Sequence, residues 1–321
     1  MPPPATRAAT ARRPAIDRRC RVTSAAAGKP AALGSGLALA AAGSIAFSGK
    51  AIIVKLAYRH GVDAVTLIML RMLFALPLFV ALAWWAGRGK QALTRHDYRI
   101  IAGLGFSGYY LASILDFAGL QTISASLERL IQYLTPTLVL GLSVLMFKQR
   151  VSRRQLAALG LSYAGVLAVF GHEAARTGVQ SVWGAVLVFG SALSYSLYLV
   201  YSQAHVRRLG ALRLTGWATS VACLLCITQF LVLKPVGAAN VAPTVLWLSL
   251  LNATVCTFAP VLMVMLAIER LGAAVTAQTG MIGPISTITM GVLILGEPLD
   301  GWIALGTLLV LAGVWLLAKS R

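Results

Sequence analysis

Charge is what this sequence has least of. Asp and Glu number nine in 321 residues, and charged residues of both signs make up 12%, against about 25% in a soluble domain. With 58% hydrophobic residues and a mean hydropathy of +0.80, the chain has more apolar surface than a soluble core can bury. Cysteine is sparse too. Cys20 lies in the N-terminal tail, and Cys223, Cys226 and Cys256 lie in apolar runs. The Cys223-x-x-Cys226 spacing suits a redox or zinc pair, but no ligand stands near it, so apolar packing is the expected role. His60, His96, His172 and His205 fall between apolar runs without metal-ligand spacing. From Gly43 to Lys50 five residues separate the two glycines, and Ala51 follows the lysine, so no phosphate cradle of the G-x-x-x-x-G-K-[ST] kind can form. G-x-S-x-G and H-E-x-x-H are absent as well. No cofactor, metal or covalent nucleophile is expected, and the chain does not read as an enzyme.

What is present is a series of apolar runs of roughly 20 residues, the length that crosses a hydrocarbon core at about 1.5 Å per residue. Lipid requires every backbone group to be paired internally, and long unalternating runs meet that demand as helices, not as barrel strands. Ten spans are expected: 33–57, 63–86, 100–120, 124–147, 155–171, 181–203, 214–233, 245–267, 273–295 and 301–318. Residues 1–32 carry seven Lys and Arg and one acid among Ala and Pro, a composition expected of a disordered tail. The apolar run after it continues past any cleavage point, which favours an uncleaved first helix.

The chain is one unit written twice. Residues 124–166 lie on 272–314 at a constant offset of 148 without a gap, matching Ala125 with Ala273, Pro136 with Pro284, and Ala164-Gly165-Val166 with Ala312-Gly313-Val314. The same offset places Gly36 on Gly184 and Ser48 on Ser196. The expected units are 33–171 and 181–318. With the N-terminus inside, 21 of the 28 Lys and Arg fall on the inner side and only Arg59, Arg176 and Lys234 on the outer, as the positive-inside rule demands. The formal charge of +19 is thus explained by topology, and no nucleic-acid partner is expected. Five spans per unit make the second unit enter from the opposite side. The Lys148–Arg154 connection is basic, whereas its counterpart Gly296–Gly301 has no basic residue. Inverted repeats of this kind are common in secondary transporters, with the substrate site near the midplane at the repeat interface.

The repeated block, with its proline-containing fourth helix and terminal Ala-Gly-Val helix, resembles the EamA-like branch of the drug/metabolite transporter superfamily. Phe47–Tyr58 (FSGKAIIVKLAY) and Gly108–Pro136 (GYYLASILDFAGLQTISASLERLIQYLTP) look like that branch too. The resemblance implies an all-α integral membrane protein of ten helices in two inverted repeats, exporting small metabolites, often amino acids, without ATP. One departure stands in the fourth connection. Lys148-Gln149-Arg150 replaces the family's Gly-Glu-Arg, and only Glu297 of the second repeat keeps the acid.

Ionisable groups inside a span cost at least about 2.5–3.5 kcal/mol and need a partner or a purpose. Lys50, Lys55, Arg71, Asp116, Glu128 and Arg129 qualify; their counterparts at the offset are Tyr198, Gln203, Thr219, Val264, Thr276 and Ala277, all uncharged. A symmetric scaffold gives no structural reason for charge in one half alone. Lys50, Arg71, Asp116, Glu128, Arg129, Tyr133, Tyr195 and Tyr198 are therefore the expected substrate pathway, with Lys55 snorkelling to the outer surface. Lys50 and Arg71 would attract an anionic end of the substrate; Asp116 or Glu128 would balance them or carry a proton as coupling ion. Asp116 would pair with Arg71 or Lys50. Pro136 frees the carbonyl of Gln132 and Pro284 makes the matching weak point; both are expected hinges, and the freed carbonyl would line a cavity. The reading is a multi-pass inner-membrane transporter in the lipid bilayer, both termini cytoplasmic, moving a small polar molecule by alternating access. A nucleotide-sugar or lipid-linked sugar cargo is the alternative within this class. An integral-membrane enzyme or a non-transporting membrane subunit is the alternative outside it.

Overall fold

A computed structural model of the protein describes residues 30–147, 151–271 and 273–319. The basic tail with Cys20 and the Lys148-Gln149-Arg150 segment lie outside the described residues. Among those described there is helix and no strand. The helices are α1 Pro30–Tyr58, α2 Ala64–Gly87, α3 Arg95–Leu120, α4 Ala125–Met146, α5 Arg153–Thr177, α6 Val179–Leu209 and α7 Ala211–Leu233. They continue with α8 Pro243–Leu271, α9 in two pieces, Ala273–Thr279 and Ile282–Leu295, and α10 Gly301–Lys319. Nine described helices are each long and apolar enough to cross a membrane, and α9 is the tenth, broken at Gly280–Met281.

Several helices run past the expected apolar limits because local capping, not hydropathy, sets their ends. Thr94 and Asp97 form a reciprocal capping box at the start of α3, and Ser152 with Gln155 does the same for α5. Gly178 and Gly210, with φ of 75° and 84°, make the tight reversals between α5 and α6 and between α6 and α7, conformations open to glycine at no steric cost. As a result His96, His172 and His205 sit on helix ends and not in loops as expected from the sequence.

The packing obeys the repeat. α1 packs on α8 and α6 on α3, which are equivalent pairs; α2 packs on its own counterpart α7, and α5 on its counterpart α10. In lipid, helices associate through close backbone approach at small residues. A Cβ on Gly165 would lie 2.7 Å from the Gly306 carbonyl oxygen, and one on Gly313 2.8 Å from that of Ala158. Symmetry extends to details: α3 widens into a π turn at Phe106–Leu111 and α8 at Thr254–Phe258, again at the 148 offset. Large apolar side chains such as Leu145, Val232 and Leu293 point outward at 77–79% exposure, the arrangement lipid favours and water does not. Trp84 and Trp85 are also exposed, and the Arg88 guanidinium lies 4.0 Å over the Trp84 ring. Cys223 and Cys226 are free and buried in an apolar core with α2, the Cys223 sulfur 3.6 Å from that of Met72.

At the end of the bundle that holds the α1–α2 turn, the far end hereafter, Asp63 caps α2. It accepts from the amides of Val65 and Thr66 and from the Thr66 hydroxyl, and its carboxylate lies 3.3 Å from Lys234. Partial burial pushes its pKa up, but the Thr66 hydrogen bonds and Lys234 outweigh this and hold it below its ordinary value.

Two expectations follow from this packing. Gly165→Val should lower stability by about 1–3 kcal/mol through overpacking of α5 on α10, read as an earlier melting transition of the detergent-purified protein. Because the folded-state pKa of Asp63 is depressed, its contribution is present above the unfolded value of about 3.9 and is lost as pH falls through the folded one. The melting difference between wild type and D63N, whose Asn still caps, should therefore shrink as pH is lowered below about 4.

Candidate functional site

Two proline breaks meet inside the bundle. Pro136 cannot donate to Gln132, and α4 breaks at Tyr133–Leu134. The freed Gln132 carbonyl does not line a cavity as expected; it accepts from the Thr135 hydroxyl at 2.7 Å. Pro284 likewise frees the carbonyl of Gly280. That oxygen accepts from the Gly283 amide of its own turn at 2.9 Å, and also from Ser44 Oγ of α1 at 2.9 Å and from Tyr133 Oη of α4 at 2.6 Å. The broken turn of one repeat is thus hydrogen-bonded to the broken turn of the other. Ser48 on α1 shares its hydrogen between the carbonyls of Ser44, 2.8 Å, and Gly283, 2.9 Å. Its counterpart Ser196 on α6 reaches the carbonyls of Ala192, 2.7 Å, and Thr135, 3.5 Å. Each repeat's first helix therefore holds the broken helix of the other.

The first piece of α4, Ala125–Gln132, carries Glu128 and Arg129 to this crossing, and two carboxylates fasten its N-terminus. Glu173 on α5 accepts from the amide and hydroxyl of Ser124 at 2.7 and 2.6 Å. Glu297, from the connection between α9 and α10, accepts from the Ala125 amide at 2.7 Å and the Ser126 hydroxyl at 2.8 Å. Both anions meet the positive end of the helix dipole. In the sequence, the one mark of Glu173 as a cap for a neighbouring helix is its position just after the apolar run 155–171.

The charges converge on Lys50, which is 8% exposed. Its ammonium lies 2.6 Å from Asp116 Oδ2 and 3.3 Å from Glu128 Oε1, so α1, α3 and α4 are joined by one cation between two carboxylates. Gln132 donates to Asp116 Oδ1 at 2.8 Å and to Ser191 Oγ of α6 at 3.2 Å. Of the two partners expected for Asp116, Lys50 takes the place. Arg71 instead donates to Ser113 Oγ at 2.9 Å and lies 4.6 Å over the Phe117 ring, both on α3. Arg129 donates to Ser48 Oγ at 3.1 Å and lies over the rings of Phe47 and Tyr133 at 5.2 and 5.5 Å. Glu128 Oε2, Arg129 Nε and Arg71 Nε are buried with no hydrogen-bond partner among the described residues.

Tyr195 and Tyr198 belong elsewhere. They stack on each other, centroids 5.6 Å apart, and Tyr198 meets Tyr109 Oη at 3.2 Å and Thr215 Oγ1 at 3.4 Å. Tyr109 precedes Asp116 by two helical turns on α3, roughly 10 Å along the axis. The tyrosines form a second polar cluster nearer the opposite end of the bundle. Tyr198 occupies there the pseudo-symmetric position of Lys50.

Two inverted five-helix repeats in the membrane, with a buried polar centre where their broken helices cross, have the build of a transporter. The sequence pattern of the EamA-like transporter family matches residues 34–171 and again 182–319. The chain belongs to that family, within the drug/metabolite transporter superfamily. It is similar to the uncharacterized transporter YcbK of Bacillus subtilis (strain 168), 28% identical over 263 residues covering 80% of this chain and 84% of that one. It is also similar to the uncharacterized transporter YoaV of the same organism, 21% identical over 248 residues covering 75% and 82%. A solved crystal structure superposes with a TM-score of 0.61 at 16% identity, covering 89% of this chain and 99% of the other, which shows a shared fold.

Lys50 is the cation that pairs both buried carboxylates. Removing one partner of a buried ion pair costs about 3–5 kcal/mol because the other charge is left unpaired. K50M should lose that much by unfolding in detergent, and K50M/D116N should recover a large part of it, since only one carboxylate then remains without its cation.

Proposed function

We propose that this protein exports small polar metabolites, amino acids among them, across the inner membrane by alternating exposure of the repeat crossing to its two sides. The observation that carries the reading is the cluster of Lys50, Asp116, Glu128 and Arg129, buried where α1, α4 and α9 cross. Ion pairing is not needed to hold a symmetric bundle together, since the equivalent positions of the other repeat do without it. The breaks at Pro136 and Pro284 serve as hinges, because a broken turn can change its backbone angles without disrupting a continuous hydrogen-bond ladder. Both termini then lie in the cytoplasm, a reading supported by the excess of Lys and Arg in the connections at the end opposite the α1–α2 turn.

Proton coupling falls to Glu128. Lys50 keeps Asp116 at 2.6 Å when Glu128 is neutralised, so Glu128 can take up a proton without leaving the lysine unpaired. Its Oε2, which has no partner among the described residues, is the oxygen available to a proton. Arg71 tunes the field of the pair from α2. Tyr133 links the two breaks, and Tyr195 and Tyr198 line the cytoplasmic half of the path.

E128Q keeps the Lys50–Asp116 contact and the shape of the side chain. Cells overproducing the wild type should accumulate a distinct set of small metabolites in their medium, relative to cells carrying the empty vector. Cells producing E128Q at the same membrane level should lose at least about tenfold of that excess, the lower range of a general acid–base effect being greater still. Media indistinguishable between wild type and empty vector would remove the export reading; undiminished export by E128Q would remove the proton role.

A further inference from the structure

We propose that Arg129 is the receptor for a carboxylate of the transported molecule, and that Lys50, the first cation one would choose from the sequence, is not. The inference rests on the transporter reading above and assigns the substrate chemistry at its centre.

The buried cluster contains three cations, Lys50, Arg71 and Arg129, and two carboxylates, Asp116 and Glu128, all at most 8% exposed. Both carboxylates are engaged by Lys50, and neither guanidinium forms an ion pair among the described residues. One positive charge is left without an anion in a region where burial of an unpaired charge is costly. The aromatic faces of Phe47 and Tyr133 offset part of this for Arg129, and its place in the last turn of the first piece of α4 offsets a little more. Neither supplies the planar, bidentate partner that a guanidinium matches best, a carboxylate.

Arg129 and Arg71 differ in where they stand. The hydroxyl and ring contacts of Arg71 are both with α3, in its own repeat. Arg129 lies on the seam between repeats. Its Nη2 meets Ser48, which is bonded to the Gly283 carbonyl of α9, and a Cβ on Gly283 would come within 3.0 Å of Nη2 and 2.5 Å of Tyr133 Oη. Glycine at 283 is what lets the second repeat approach the guanidinium this closely. A ligand held there would touch both repeats, which is what allows binding to bias their relative position. The unpartnered Nε, on a side chain 6% exposed, is the donor that such a ligand would take up.

An independent observation agrees with the sign of the charge. A cavity of about 390 Å³ opens at the far end, lined by Lys55, Tyr58, Arg59, Gln121, Leu295 and Glu297. Its lining carries two cations, Lys55 and Arg59, against one acid, Glu297, whose charge the N-terminus of α4 stabilises without removing. Lys55 therefore faces a cavity at the rim. An anion leaving the centre would pass into it.

The test uses inside-out membrane vesicles from overproducing cells and two probe mixtures. One is an equimolar set of the twenty proteinogenic amino acids with lactate and succinate; the other holds the same amino acids as α-carboxamides. Accumulation is read by mass spectrometry for wild type, R129Q and R129K at matched protein level and with their melting transitions recorded. The wild type should accumulate members of the first mixture and not their carboxamides, and R129Q should lose at least tenfold. R129K, which keeps the charge without the planar fork, should raise KM at least tenfold with a maximal rate near wild type. Where R129Q fails to fold, the KM of R129K decides alone. Undiminished accumulation by R129Q, an unchanged KM in R129K, or equal transport of the carboxamides would overturn the Arg129 assignment while leaving the transporter reading in place. Failure of the wild type to accumulate any member of either mixture would overturn both.

Discussion

A carbonyl without a partner has no water to turn to inside a membrane, and each such group costs several kcal/mol. Two prolines, Pro136 and Pro284, create that problem at equivalent points of the two repeats, and the solutions differ. The Gln132 carbonyl is satisfied by Thr135 of its own helix, whereas the Gly280 carbonyl accepts from the Gly283 amide of its own turn and, across the repeats, from Ser44 and Tyr133 as well. The second solution ties the two breaks into one unit. The first piece of α4, which carries Glu128 and Arg129, is thereby held against α1 and α9, and the buried charges find their partners because it is held there.

Around this crossing the scaffold is symmetric and the chemistry is not. Ser48 and Ser196 make equivalent links to opposite broken helices, and the π turns of α3 and α8 recur at the same offset. Yet Lys50 on α1 sits among carboxylates while Tyr198, its counterpart on α6, sits among hydroxyls and rings. Inversion of the repeat puts the charged cluster in one half of the bundle's depth and the tyrosine cluster in the other. A transported molecule would meet hydroxyls and aromatic faces on one side of the crossing and fixed charge on the other, which gives the path a chemical direction that the backbone lacks.

Outside the crossing, polar side chains act mainly on helix ends. Glu173 of α5 and Glu297 of the α9–α10 connection converge on one helix N-terminus, and Asp63 both caps α2 and meets Lys234. Glu297 therefore has a role at the far end, whereas the amide that replaces the family's acid in the fourth connection, Gln149, lies outside the described residues.

Much of this was legible in one dimension. The number of spans, the 148-residue repeat, its inversion and the list of charges inside the membrane follow from length, hydropathy and register, because a bilayer imposes a single fixed thickness on every helix. The matched Ser48 and Ser196, and Pro136 and Pro284, were visible at the same offset. Partner choice was not. Lys50 is 66 and 78 residues from the two carboxylates it joins, Arg71 turned to Ser113 instead of Asp116, and Tyr195 and Tyr198 lie apart from the charges they were expected to accompany. Those outcomes depend on how far each helix is rotated about its axis and on where α4 and α9 break, quantities set by the packing of neighbouring helices and by the need to satisfy freed carbonyls. Span count, repeat and the identity of the buried charges belong to the sequence. Which charge faces which, and which guanidinium stands at the seam without an ion pair, was decided only when ten helices had to share one set of contacts.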